Sequence, residues 1–296
     1  MVTVGIDLSG HSGTTGVCRI TWSEQPVVEL LDSRSDDDLL AAMRSADRTG
    51  LDSPVGWPVA FTSLLSAHQA GTKLPVRSRY ASLPGGPAGL CTFTHRLTDD
   101  VAWKRTGAGR RRPLSVAADK LGIVAMRAVN LLERLAGTGP AIPRDGSGSV
   151  VEVYPAFALI QWGLAGKTGY KGSKPGAPAA RAEILAGLAE GLGLGPGPVP
   201  GVDVGLDPGP GLDLGPGLGL GLGLGLGLDG TVRDRCARSD HDLDALISAV
   251  VARAAACGMT HVPTTDEERA MAAVEGWIHL PRRDVPLAAV RRGVAP

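Results

Sequence analysis

Val2-Thr3-Val4-Gly5-Ile6-Asp7-Leu8 stands at the head of the chain and runs into a glycine-rich turn over residues 9–16. The β-branched residues recur with a period of two, which is the period of a strand and places Thr3, Gly5 and Asp7 on one face. Residues 16–22 and 26–31 read as two more short strands, so the three together predict an antiparallel meander. Ser35, three aspartates, and then Leu39, Leu40 and Met43 have the capped start and apolar spacing of a short helix. Residues 49–52 follow as a brief strand, stopped by Ser53-Pro54.

Further along, residues 55–113 are rich in Gly, Pro and Arg with weak periodicity and predict loops, with one short helix near residues 61–70. Pro113 and Ser115 open the clearest helix, whose apolar face is Leu121, Val124, Ala128, Leu131, Leu132 and Leu135 and whose end is Gly137. Residues 149–154 make a fifth strand ended by Pro155, and residues 179–192 a helix. Ser239 caps a last helix to about Ala256, with Leu243, Ile247, Val250 and Ala254 buried and Gly258 at its exit. Three strands, helix, strand, helix, strand, helix is the order of the ribonuclease H-like α/β fold, a mixed five-stranded sheet with helices on both faces.

Residues 191–230 interrupt this order with 16 Gly and 6 Pro, much of it alternating Gly and Leu. Glycine makes such a stretch entropically costly to order, and Pro216 and Asp213 spoil it as a membrane-spanning helix. The expectation is one domain built from residues 1–190 and 231–296, with 191–230 a flexible low-complexity insert. At 43% hydrophobic residues the chain has material for a sizeable core, which excludes a wholly disordered or collagen-like protein. Thirty basic residues balance thirty acidic ones, so a nucleic-acid partner must be held by a local patch, and no membrane partner is expected. Cysteines 18, 91, 236 and 257 show no metal-ligand spacing and predict reduced thiols in a cytoplasmic protein, in line with a start that lacks the signal-peptide pattern.

The acids are the candidates for chemistry. Asp7 ends the first strand, Asp52 the fourth, and Asp240, Asp242 and Asp244 lie in the first turns of the last helix. Carboxylates gathered from separate elements raise one another's pKa unless cations neutralise them, and hard oxygen ligands select Mg2+ or Mn2+. At about 100° per residue, Asp244 and Asp240 project near the edge of the buried stripe, His241 lies further round and Asp242 points away. Asp244 is therefore the first choice on that helix, with Asp240 and His241 competing for a supporting role. Asp242 reads as a helix-start acid at the capping-box position. Glu152, between Val151 and Val153, is either solvated on a half-covered sheet or part of the same acidic site.

Other residues have weaker chemical readings. Lys104, Arg105, Arg110, Arg111 and Arg112 form a flexible basic loop suited to phosphates or merely solvated. Trp57 and Trp103 read as packing residues before base-stacking ones. Tyr170, Lys171 and Lys174 follow the fifth strand, where a lysine can neutralise developing phosphate charge.

Residues 5–10 (GIDLSG), 51–58 (LDSPVGWP), 96–99 (RLTD), 152–156 (EVYPA), 240–246 (DHDLDAL) and 275–278 (EGWI) together resemble the domain of unknown function 429 family. That resemblance spans nearly the whole chain outside the insert and implies a metal-dependent nuclease of ribonuclease H-like fold. The last helix also resembles that of Holliday-junction resolvases, which implies metal-binding roles for His241 and Asp244 with Asp7 and Asp52 as partners. The glycine turn after Asp7 is similar to the first phosphate loop of actin-like and sugar-kinase ATPases, but no second phosphate loop follows in residues 151–296. The leading expectation is a nuclease acting on DNA or RNA with Asp7, Asp52, Glu152 and Asp244 catalytic and Asp7, Asp52, Asp240, His241 and Asp244 around the metal. The alternatives are an ATP-dependent phosphotransferase and a non-catalytic binding module on the same fold.

Overall fold

The computed structural model describes residues 1–32, 34–72, 91–107, 113–117, 120–165, 169–194 and 228–294. Most of the insert, 195–227, and the arginines at 110–112 lie outside the described residues. Strands β1 (Val2–Asp7), β2 (Gly16–Thr21) and β3 (Val27–Leu30) form the antiparallel meander expected. Helix α1 (Asp36–Arg44) begins at a capping box between Ser35 and Asp38 and leads into β4 (Arg48–Asp52), which pairs parallel with β1. Helices α2 (Val59–Gln69), α3 (Cys91–Thr94), α4 (Leu97–Thr106) and α5 (Lys120–Ala136) separate β4 from β5 (Val150–Glu152), again parallel. The remaining helices are α6 (Pro155–Gln161), α7 (Ala177–Gly191), α8 (Gly230–Arg238), α9 (Asp240–Ala256), α10 (Asp266–Glu275) and α11 (Leu287–Arg292). The result is α/β with one mixed sheet ordered β3-β2-β1-β4-β5, consistent with the ribonuclease H-like arrangement.

The period of two in β1 decides which layer each residue joins. Val4 and Ile6, with Val17 and Leu51, bury against Leu39, Leu40 and Met43 of α1 and Ala128, Leu131 and Leu132 of α5. Thr3 and Gly5 turn to the other face, where the Thr3 hydroxyl donates to the Ala249 carbonyl of α9 at 2.9 Å. Here glycine is required by distance: a Cβ on Gly5 would lie 2.0 Å from the Ala245 carbonyl oxygen and 2.3 Å from the Ala249 nitrogen. On Gly50 of β4 it would lie 2.2 Å from the Ser248 oxygen. Helix α9 thus lies directly on strand backbone. It is buried well beyond the single stripe expected, because α7, α8 and α11 close over its outer side.

Several expectations change. The long helix starts at Lys120; among residues 113–117 the chain is not helical, since the Pro113 carbonyl is tied to the His95 ring at 3.0 Å and Val116 is buried. Residues 55–113 hold more helix than the one segment expected. In α4 the buried positions are Thr98, Asp99, Ala102 and Thr106, so the helix carries no apolar stripe to read. Lys104 and Arg105 belong to its last turn and not to a loop. Pro155 ends β5 but also opens α6, a place where its missing N–H costs nothing. Among the described residues no helix is long and apolar enough to cross a membrane, and Cys18, Cys236 and Cys257 are free thiols.

Candidate metal centre

Asp7 and Asp52 are the last residues of adjacent parallel strands and stand in register with each other. Asp244 reaches them from α9, one turn beyond the Ser239 cap, whose hydroxyl accepts from the Asp242 N–H at 3.1 Å. The close seat of α9 on Gly5 and Gly50 brings that turn over the strand ends. One carboxylate oxygen from each of Asp7, Asp52 and Asp244 lies within 4.8 Å of the others. Asp7 and Asp52 are partly buried, while Asp244 is 1% exposed.

Gathering three acids has an electrostatic cost that the structure records. Burial, with Asp7 and Asp244 close by, holds the Asp52 carboxyl well above the usual carboxylate range, against the opposing pull of Lys171. Burial, with Asp7 adding to it and Lys171 and Tyr170 opposing, lifts Asp244 to about 6. The Tyr170 hydroxyl donates to Oδ1 of Asp244 at 2.7 Å, and Lys171 Nζ lies 2.7 Å from Oδ2. Burial alone would lower the Lys171 ammonium, but Asp244, Asp52 and Asp7 more than offset it and keep it charged. His241 Nδ1 lies 2.5 Å from Asp7 Oδ2, and that hydrogen bond is the main reason its pKa is raised. The centre therefore sets one ammonium and one imidazole beside three carboxyl groups, whose oxygens are close enough together to hold a metal ion.

The other candidate residues separate by partner. Asp240 accepts from the Gly172 N–H at 3.0 Å; burial opposes its ionisation, but this bond and His241 hold its pKa low. Asp242 is not one of the grouped carboxylates, and it is buried between Arg235 at 3.2 Å and Arg34 at 3.3 Å. Its carboxylate therefore serves those arginines and not a capping box. The structure does not bring Glu152 into the carboxylate group. Arg96 takes both its oxygens, at 2.7 and 2.6 Å, and the Val55 N–H takes one of them at 3.1 Å. The same guanidinium binds Asp99, and Glu275 receives the N–H groups of Val59 and Leu97, both at 2.8 Å. This network anchors the loop that follows Asp52. Trp103 packs beside Phe157 and Ile278, and Trp57 is half-buried. Tyr170 was not distinguishable as a contact of Asp244 from sequence, since it lies in an aperiodic segment between α6 and α7.

Two of the comparisons return nothing: no curated protein and no solved structure matches the chain. A family model does match, over residues 5–269, which takes in every residue of the centre. The chain belongs to the DUF429 family, described as proteins of unknown function.

Proposed function

We propose that this protein hydrolyses phosphodiester bonds in nucleic acid with Mg2+ or Mn2+ held by Asp7, Asp52 and Asp244. The observation that carries the reading is the convergence of three carboxyl groups from two strand ends and a helix, with one oxygen of each within 4.8 Å of the others. All three donors are hard oxygens, the set that suits these ions. A bound ion would activate water and stabilise charge on the phosphoryl oxygens. Around it, His241 orients Asp7 through Nδ1, and Tyr170 fixes the rotamer of Asp244. Lys171 is 48% exposed along its side chain and so is free to leave Asp244 for a phosphate oxygen when a cation enters.

The test is to incubate the full chain with branched, single-stranded and hybrid substrates plus Mn2+, beside the Asp7→Asn/Asp244→Asn protein. Metal-dependent cleavage is expected, with a loss in the variant beyond the roughly 10–100-fold that removing a ligand's supporting partner costs. Equal cutting by both proteins defeats the proposal, and stabilisation by ATP in place of Mn2+ would favour phosphotransfer. Lys171→Gln gives a second expectation. At pH 8 it binds Mn2+ several-fold more tightly, because a competing cation is gone, yet cleaves more slowly because a phosphate contact is gone. Calorimetry and initial rates on the same sample check the two directions.

A further inference from the structure

Asp7 and Asp52 open onto a recess of about 570 Å3, within the size range of small-molecule sites. Asp7, Asp52, Lys171 and Lys174 border it, but so do Leu8, Pro54, Leu114, Leu121, Val124 and Tyr154. Arg96 borders it too, with its guanidinium already bound to Glu152 and Asp99, which among the described residues leaves the two lysines to meet an anion. Leu114 is 56% exposed at this recess, an apolar side chain in water beside a charged centre. A surface built for an intact duplex meets phosphates with clustered basic groups and needs no apolar pocket. A pocket that joins charged and apolar walls instead suits a ligand with a phosphate at one end and a flat, desolvated group at the other. Bases taken out of a stack are held in this way, between aromatic and apolar side chains.

We propose that the recess receives one unpaired nucleotide, with its base against Leu114, Leu121, Val124 and Tyr154 and its phosphate at Lys171, Lys174 and the carboxylates. The substrate class is then single-stranded or frayed nucleic acid, and not closed duplex. This deepens the phosphodiesterase reading and rests on it for the chemistry, whereas nucleotide binding is measurable without turnover.

Calorimetry on the full chain with Ca2+ compares AMP, ribose 5-phosphate and phenyl phosphate. AMP is expected to bind at least about tenfold more tightly than ribose 5-phosphate, the gain a stacked base supplies. Leu114→Asp, at an exposed position, should erase that difference while leaving the circular dichroism spectrum and Mn2+ binding unchanged. Equal binding of AMP and ribose 5-phosphate overturns the proposal, as does phenyl phosphate matching AMP, or an AMP preference that survives Leu114→Asp. If AMP is preferred but no nucleic acid is cut with Mn2+, the recess stands and the phosphodiesterase reading fails. If single strands and duplex are cut alike and AMP shows no preference, the reading stands and the recess fails.

Discussion

Glu152→Ala should lower the unfolding free energy by about 3 kcal/mol, the lower end of what breaking a buried ion pair costs. The side chains of Arg96 and Glu152 are 1% and 3% exposed, and removing the carboxylate strands two guanidinium N–H groups and the Val55 N–H. Asp99 still faces Arg96, which keeps the loss from the upper end of the range. Burial raises the Glu152 pKa against the pull of Arg96, so its ionised form depends on that arginine. Urea denaturation of the wild type, Glu152→Ala and the double replacement Arg96→Met/Glu152→Leu makes the check. The double variant should recover part of the loss, since apolar replacement of a whole buried pair is often neutral. A further variant, Glu152→Gln, decides what Glu152 is for. If Glu152→Gln folds and binds Mn2+ like the wild type, the residue anchors the loop; if it weakens Mn2+ as Asp7→Asn does, Glu152 belongs to the centre.

Gly5→Ala should cost at least about 3 kcal/mol, at or beyond the upper end of ordinary overpacking. The added methyl would collide with backbone atoms of α9, at 2.0 Å from an oxygen and 2.3 Å from a nitrogen, and backbone in a helix cannot rotate out of the way. The helix must lift, and Asp244 lifts with it. Mn2+ affinity should therefore fall together with stability, although Gly5 carries no ligand atom. Gly13→Ala is the control, because a Cβ there meets nothing within 4 Å, and its stability should stay within about 0.5 kcal/mol of the wild type. A Gly5→Ala protein with unchanged melting and unchanged Mn2+ affinity would contradict the account of how α9 is seated.

What was legible in the sequence follows from the physics of each element. The alternation of Val2–Asp7 assigned the two faces of β1 correctly, because one face packs on apolar helices and the other on helix backbone. Asp7 and Asp52 end strands of the same sheet, so their meeting depends only on the register of two neighbours. Asp244 was picked out by its position at the edge of a buried stripe. Helix α4 was not legible, since Ala102 is the one apolar residue among its buried positions Thr98, Asp99, Ala102 and Thr106, and the Arg96 that precedes it is held by Glu152, far away in sequence. The two readings of Glu152 stayed open for the same reason: its partner Arg96 lies 56 residues away in a segment without periodicity. Tyr170 and Lys171 reach Asp244 from a turn whose path no local pattern encodes.

The most direct test of the convergence of Asp7, Asp52 and Asp244 on one cation is the anomalous signal from a crystal of the protein soaked in Mn2+. A peak about 2 Å from an oxygen of each of the three carboxylates is the predicted result. No peak there, with Lys171 still seated on Asp244 at saturating Mn2+, would contradict it.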